Sequence, residues 1–212
     1  MIEIDGSQYS GSGTIVRQAV AFSALTGQPV PIVHARTRRP KPGLRHQHIR
    51  VVQAIGELVH GTAEGLSPGS QEIIFRPGTL RTGGRYLWDI DVQYDRESLQ
   101  PGAVLALFAD FGEGVRLGSD QAGALRRTAE FIGKHVAKQL LEDMKTGATV
   151  DRFTVDQIIP LAALAEGESR FHVEAVTDHL LTNLWLVEKF LGVRATLNDH
   201  TLSMTGFGFQ RQ

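Results

Sequence analysis

A chain of 212 residues, 42% hydrophobic and 21% charged, is long enough to bury a sizeable core as one domain or two small ones. It has no cysteine, which excludes disulfides, thiolate metal sites and thiol catalysis. The formal net charge of −1 conceals a segregation: residues 6–56 hold seven Lys and Arg with no Asp or Glu, and the remainder carries −8. An acid-free basic block implies an anionic partner, against the plainer reading of a solvated basic face. No apolar run approaches the roughly 18–20 residues that would cross a bilayer. Glu3 and Asp5 put acid where a signal peptide would carry base, so no membrane and a cytoplasmic location are expected.

Residues 2–4 read as a short strand ending at Asp5-Gly6. A loop rich in Gly and Ser follows over 6–13, then a helix over 14–25 that Gly27 stops. A second strand lies at 29–33, and Pro42-Gly43 leads into a helix over about 44–60. Ile49, Val52, Ile55 and Val59 share one face of that helix, and Gly61 ends it. Strands at 62–66 and 71–76, joined by a turn at Pro68-Gly69, complete the order β-α-β-α-β-β.

Residues 77–102 read as loop-rich with one alternating strand at 86–92. A strand at 103–108 precedes a long helix over about 118–143 and a short one near 155–165, which Pro160 kinks or starts. A strand at 170–175, a helix over 179–191 and a hairpin of 193–197 with 201–205 close the chain. Both halves end helix, glycine, strand, turn, strand. The expected fold class is therefore α/β (α+β), two related β-α-β-α-β-β units at 1–82 and 83–212, with the boundary near Gly83.

His179 is the candidate nucleophile. It sits on the first turn of its helix, where backbone N–H groups and the helix dipole attract phosphate. A neutral imidazole, with an unperturbed pKa of about 6.5, attacks an α-phosphate to form a phosphoramidate. The plainer reading is a surface histidine beside Asp178, which caps the helix or orients the ring. Arg36, Arg38, Arg39, Lys41 and Arg45 follow a strand and precede a helix, the end of an α/β sheet where ligands bind. Guanidinium groups suit bidentate phosphate contacts, and a solvated loop is the alternative. The 6–13 loop has the placement of a phosphate cradle without matching a known glycine signature. Asp156 and Gln157 either offer a carboxylate to Mg²⁺ and an amide to a base edge, or cap a short helix. His46 and His48 point to different helix faces, which argues against a shared metal.

These stretches together resemble the RNA 3'-terminal phosphate cyclase family. The resemblance is carried by Asp5-Gly6 with its loop and Arg17, by the whole of 36–48, by 69–78, by 156–160, and by 179–183 with the following helix. It covers roughly 1–80 and 103–206. It implies ATP-dependent conversion of an RNA 3'-phosphate to a 2',3'-cyclic phosphate, with His179 taking AMP from ATP before passing it to the RNA 3' end. By position, Arg17, Arg36 and Arg39 would hold phosphates with help from Gln47. Asp156 would lie beside the histidine and a Mg²⁺ or Mn²⁺ ion, and Gln157 near the adenine.

The sequence also departs from the family pattern. Ser10 and Thr14 stand where the family usually has Glu and Gln, and Phe153 where it has Tyr. Against the three units and inserted small domain usual in that family, the chain looks like the first and last units only. Self-association that covers the surface left by the missing unit is expected. Two other classes are weighed: a non-catalytic, cyclase-like RNA-binding protein, and a small-molecule transferase of the related EPSP-synthase type, against which the histidine motif argues.

Overall fold

The computed structural model of the chain describes residues 2–79, 104–112 and 114–209. The proposed strand at 86–92 and the boundary near Gly83 lie outside them. The first half runs β1 (Ile4–Asp5), α1 (Gly13–Thr26), β2 (Val30–Val33), α2 (His46–Val59), β3 (Thr62–Glu64), β4 (Ile73–Arg76), the order read from the sequence. Its sheet has strand order β1-β2-β4-β3, with β1 and β2 parallel and the other pairs antiparallel.

Local chemistry fixes these elements. Ser12 caps α1 by accepting the Thr14 N–H, and Gly27 ends it in the left-handed conformation. α2 ends one residue before the expected glycine: His60 itself takes the left-handed conformation (φ 51), and the Gly61 N–H closes on the Gly56 carbonyl. Gly43 needs to be glycine twice over, because its φ is +73 and a Cβ would lie 2.1 Å from the Gly69 carbonyl oxygen. That contact locks the 34–45 loop to the turn between β3 and β4.

The second half departs from the expected order. β5 (Val104–Asp110) turns at Gly112 and Gly114 into β6 (Arg116–Ala122), its antiparallel partner. The long helix therefore starts eleven residues later than expected, as α3 (Ala129–Lys145), where Thr128 caps it by accepting the Phe131 N–H. Residues 116–122 are too polar to show a strand alternation, and only Leu117 and Ser119 of β6 are buried. Then follow α4 (Thr154–Leu164), β7 (Glu168–His172), α5 (Asp178–Leu191), β8 (Ala195–Asn198) and β9 (Thr201–Thr205).

The sheet order β7-β9-β8 repeats the β2-β4-β3 arrangement of the first half. A backbone bond from Thr149 N–H to the His172 carbonyl stands where Gly6 N–H meets the Val33 carbonyl. Beside each of these approaches stands an aspartate, Asp5 just before the first or Asp151 just after the second, that accepts the N–H two residues on.

The protein is thus mixed α/β. α1 rests on β2 and β4, α4 rests on β9, and α1 packs along α5. One continuous apolar core runs through both halves, from Ile4, Ile15 and Phe75 to Ile159, Leu186 and Leu202. The Phe22 and Phe190 rings stack across it with centroids 5.7 Å apart. Among the described residues no helix is long and apolar enough to cross a membrane.

Candidate active site

The starts of α1, α4 and α5 meet at one end of the core. His179 is the second residue of α5 and half-buried. Its Nδ1 lies 3.5 Å from Oγ1 of Thr14, the second residue of α1, and the exposed Arg17 donates to the same oxygen at 3.3 Å. The helix cap is Thr177 rather than Asp178: Thr177 Oγ1 accepts the Leu180 N–H and donates to Asp156 Oδ1, both at 3.0 Å. One hydroxyl therefore starts α5 and fixes the Asp156 carboxylate beside the histidine. Burial pushes the Asp156 carboxyl up, opposed by the Thr177 hydrogen bond and by the charge of His179.

The glycine-rich loop is clamped at both ends. Asp5 accepts from Ser7 N–H, Ser7 Oγ and Gln8 Nε2 and contacts His34 Nδ1. Burial raises its pKa, but those hydrogen bonds outweigh it and bring the carboxyl down to about 2. Further on, the Ser10 N–H donates to Thr182 Oγ1 at 3.2 Å, and that hydroxyl returns a bond to Ser10 Oγ at 3.0 Å. Ser10 and Ser12 hydroxyls are themselves 3.0 Å apart. A chain of neutral hydroxyls thus ties the loop to the helix that carries His179.

The basic cluster assembles around this loop. Arg39 donates to the Ser10 carbonyl and Arg38 to the Tyr9 carbonyl, while Arg36 donates to the carbonyls of Lys41 and Gly43. Burial and the nearby charges of Arg39 and Arg45 lower the Arg36 pKa, so three guanidinium groups crowd one spot. Arg36 and Arg39 spend some of their donors on the backbone, which holds the remaining N–H groups in fixed positions. Gln47 and Gln157 are exposed, and their side chains make no hydrogen bond among the described residues.

His48 lies beneath the loop, buried and neutral. Its Nδ1 accepts the Arg45 N–H at 3.0 Å, the return half of a capping box on α2. Burial first, then Arg36, Arg17 and Arg45, pull its pKa down to about 4. His46 is exposed, so the two histidines are separated as helix geometry requires. Among the described residues, no group of three or more His, Cys, Asp or Glu could hold a metal ion.

Several supporting residues were missed by the sequence reading. Thr177 had a readable signal, a threonine before an acid at the start of an apolar helix. Asp151, which accepts the Phe153 and Thr154 N–H groups at the start of α4, had none beyond its residue type.

Comparison with known proteins bears on the family of the chain. The family model for RNA 3'-terminal phosphate cyclase matches residues 8–94 and 96–197. The chain is 28% identical to the RNA 3'-terminal phosphate cyclase of Methanopyrus kandleri, with 91% of this chain and 94% of that protein aligned. It is 27% identical to the Pyrococcus furiosus cyclase over the same shares, and 23% identical to that of Pyrobaculum aerophilum over 99% of both. The first of these alignments runs over 331 positions, more than the 212 residues of the chain, so it crosses long gaps on this side. The chain belongs to the RNA 3'-terminal phosphate cyclase family.

Proposed function

We propose that the chain converts an RNA 3'-phosphate to a 2',3'-cyclic phosphate at the expense of ATP, with His179 as the nucleophile. The observation that carries this is the position of the His179 ring, against Thr14 and Arg17 of the opposite half and beside Asp156. A ring nitrogen of His179 attacks the α-phosphorus, and the bond to the β-phosphate oxygen breaks as pyrophosphate leaves. An oxygen of the RNA 3'-phosphate then displaces the imidazole, so AMP joins the RNA end. The vicinal 2'-hydroxyl attacks the terminal phosphorus and loses its proton as AMP departs.

Arg17, exposed at the mouth, and the pinned Arg36 and Arg39 suit the phosphates. Gln47 and Gln157 carry unspent amides for nucleotide contacts. Asp156 offers its Oδ2, which no described residue engages, as one carboxylate ligand, the modest contribution typical of Mg²⁺ sites completed by phosphate and water. A bound Mg²⁺ or Mn²⁺ would neutralise phosphate charge there.

Incubation with α-labelled ATP and Mg²⁺ or Mn²⁺ tests this reading. The expected result is acid-labile, alkali-stable label on the protein that His179→Ala abolishes. The second reading, a non-catalytic RNA-binding member of the family, is favoured by one feature: serine hydroxyls tie the 6–13 loop where the family usually carries a carboxylate. Absence of label together with salt-steep RNA binding would select it.

A further inference from the structure

Between the loop that leads into α1 and one face of α5, a shallow cavity of about 250 Å³ is lined by Tyr9, Leu181, Leu184, Trp185, Val193 and Arg194, among others. Tyr9 and Trp185 meet there with ring centroids 5.6 Å apart and planes at 46°. Tyr9 is 39% exposed, and its backbone is left-handed (φ 43), a region that favours glycine. Arg38 donates to the Tyr9 carbonyl at 2.7 Å, holding the ring's own backbone against the basic block. The rim is Arg194, whose Nε donates to Glu188, so the one acid in the cavity wall is matched by a base.

Position links this cavity to the candidate active site. Tyr9 precedes Ser10, which is bonded to Thr182 one turn beyond His179. Trp185 stands six residues along α5 from His179, about 9 Å in axial rise. Exposed aromatic faces beside guanidinium groups are how proteins hold the bases of single-stranded nucleic acid without reading them. A tyrosine kept at a backbone position suited to glycine, with its ring half in solvent, is poorly explained by packing alone.

We propose that Tyr9 and Trp185 form a stacking shelf for a base of the RNA substrate, one set back from the 3'-phosphate. This rests on the proposal that the RNA 3' end sits at His179. The site takes any nucleobase, because stacking uses the π-face rather than the hydrogen-bonding edge.

The test is binding of single-stranded oligoribonucleotides ending in a 3'-phosphate, measured by anisotropy without ATP. Each is compared with a copy made abasic at one position near the end. Tyr9→Gly removes the ring and relieves the left-handed backbone, so the loop keeps its conformation. Wild type is expected to lose roughly tenfold in affinity at one abasic position. Tyr9→Gly is expected to lose a similar factor on the intact oligonucleotide and nothing further on the abasic one, and Tyr9→Phe to behave as wild type. Losses that simply multiply, or a Tyr9→Gly loss that is as large for a 3'-phosphorylated mononucleotide, would overturn the shelf. Label on His179 without this coupling removes the shelf and leaves adenylyl transfer standing. Coupling without label does the reverse.

Discussion

Asn183 of α5 donates its side-chain N–H to the backbone carbonyl of Asp156, the carbonyl that Pro160 leaves unpaired in α4. In an uninterrupted helix that oxygen would take the N–H of residue 160, but proline has none. The helix defect is thereby converted into a cross-brace, and it joins the segment bearing Asp156 to the helix bearing His179. Asn183→Leu should cost about 1–3 kcal/mol, since it leaves a partly buried carbonyl without its donor. Adding Pro160→Ala should recover much of that loss, because an alanine N–H can close the helical bond. Denaturant melts of the two single variants and the double variant read the coupling directly. Additive losses would mean that the brace is incidental.

His48 and Gly13 are a second matched pair. A Cβ on Gly13 would lie 2.0 Å from His48 Nε2, so the first residue of α1 is glycine because the imidazole occupies that space. Gly13→Ala should destabilise by about 1–3 kcal/mol, the usual range for overpacking, and should loosen the 6–13 loop.

The same histidine sets a pH dependence. Its folded-state pKa of about 4 lies below the ordinary 6.5, so the unfolded chain takes up the proton first. Its stabilising contribution is complete above about pH 6.5 and is lost as pH falls from there through 4. His48→Gln keeps an acceptor for the Arg45 N–H and removes the titration. Thermal melts across that window should therefore show a shallower acid decline in the variant than in wild type. Parallel curves would remove His48 as the cause.

Thr14 is where the two halves meet at His179, the proposed nucleophile. Its oxygen accepts from Arg17 and faces Nδ1 of His179, and an Nδ1–H donated to that oxygen would leave the Nε2 lone pair free for the proposed attack on phosphorus. Thr14→Val should reduce labelling of His179 by roughly 10–100-fold, the usual cost of losing an orienting partner, and Thr14→Ser should restore it. Nitrogen NMR of the His179 ring supplies a readout independent of turnover: the tautomer distribution should shift in the valine variant. An unchanged ring spectrum would show that Thr14 does not orient it.

Much of the first half was legible because its signals are local. Gly27 after an apolar helix, Pro42-Gly43 before one and Pro68-Gly69 between two strands each mark a boundary through their own backbone preferences. The α5 helix and its histidine were equally plain. Residues 116–122 were not, because β6 is a strand by virtue of pairing with β5 and covering α3, not by its own alternation. The site divides in the same way. His179 and Asp156 are proposed from residue type and order and Arg17 from the family resemblance, and the structure places Arg17 and Asp156 around the His179 ring. The hydroxyl chain from Thr14 through Ser10 to Thr182 could not be read that way, since its members are some 170 positions apart and acquire meaning only when α1 packs on α5.

The β5–β6 hairpin carries the last prediction. Val104 and Phe108 project from one face of β5 at 66% and 72% exposure, and Phe111 and Leu125 are also in solvent. Apolar side chains at such density on a two-stranded sheet are a liability in a lone monomer. Relatives align across many more positions than this chain possesses, so the chain lacks residues that they carry. Association of two copies through this hairpin would cover its exposed apolar side chains. Sedimentation should then give a mass above that of one chain, and Phe108→Ser, which changes a side chain already in solvent, should return the monomer without lowering its melting temperature. A wild-type chain that sediments as a single monomeric species at micromolar concentration would refute the association and leave the hairpin's exposed face unexplained.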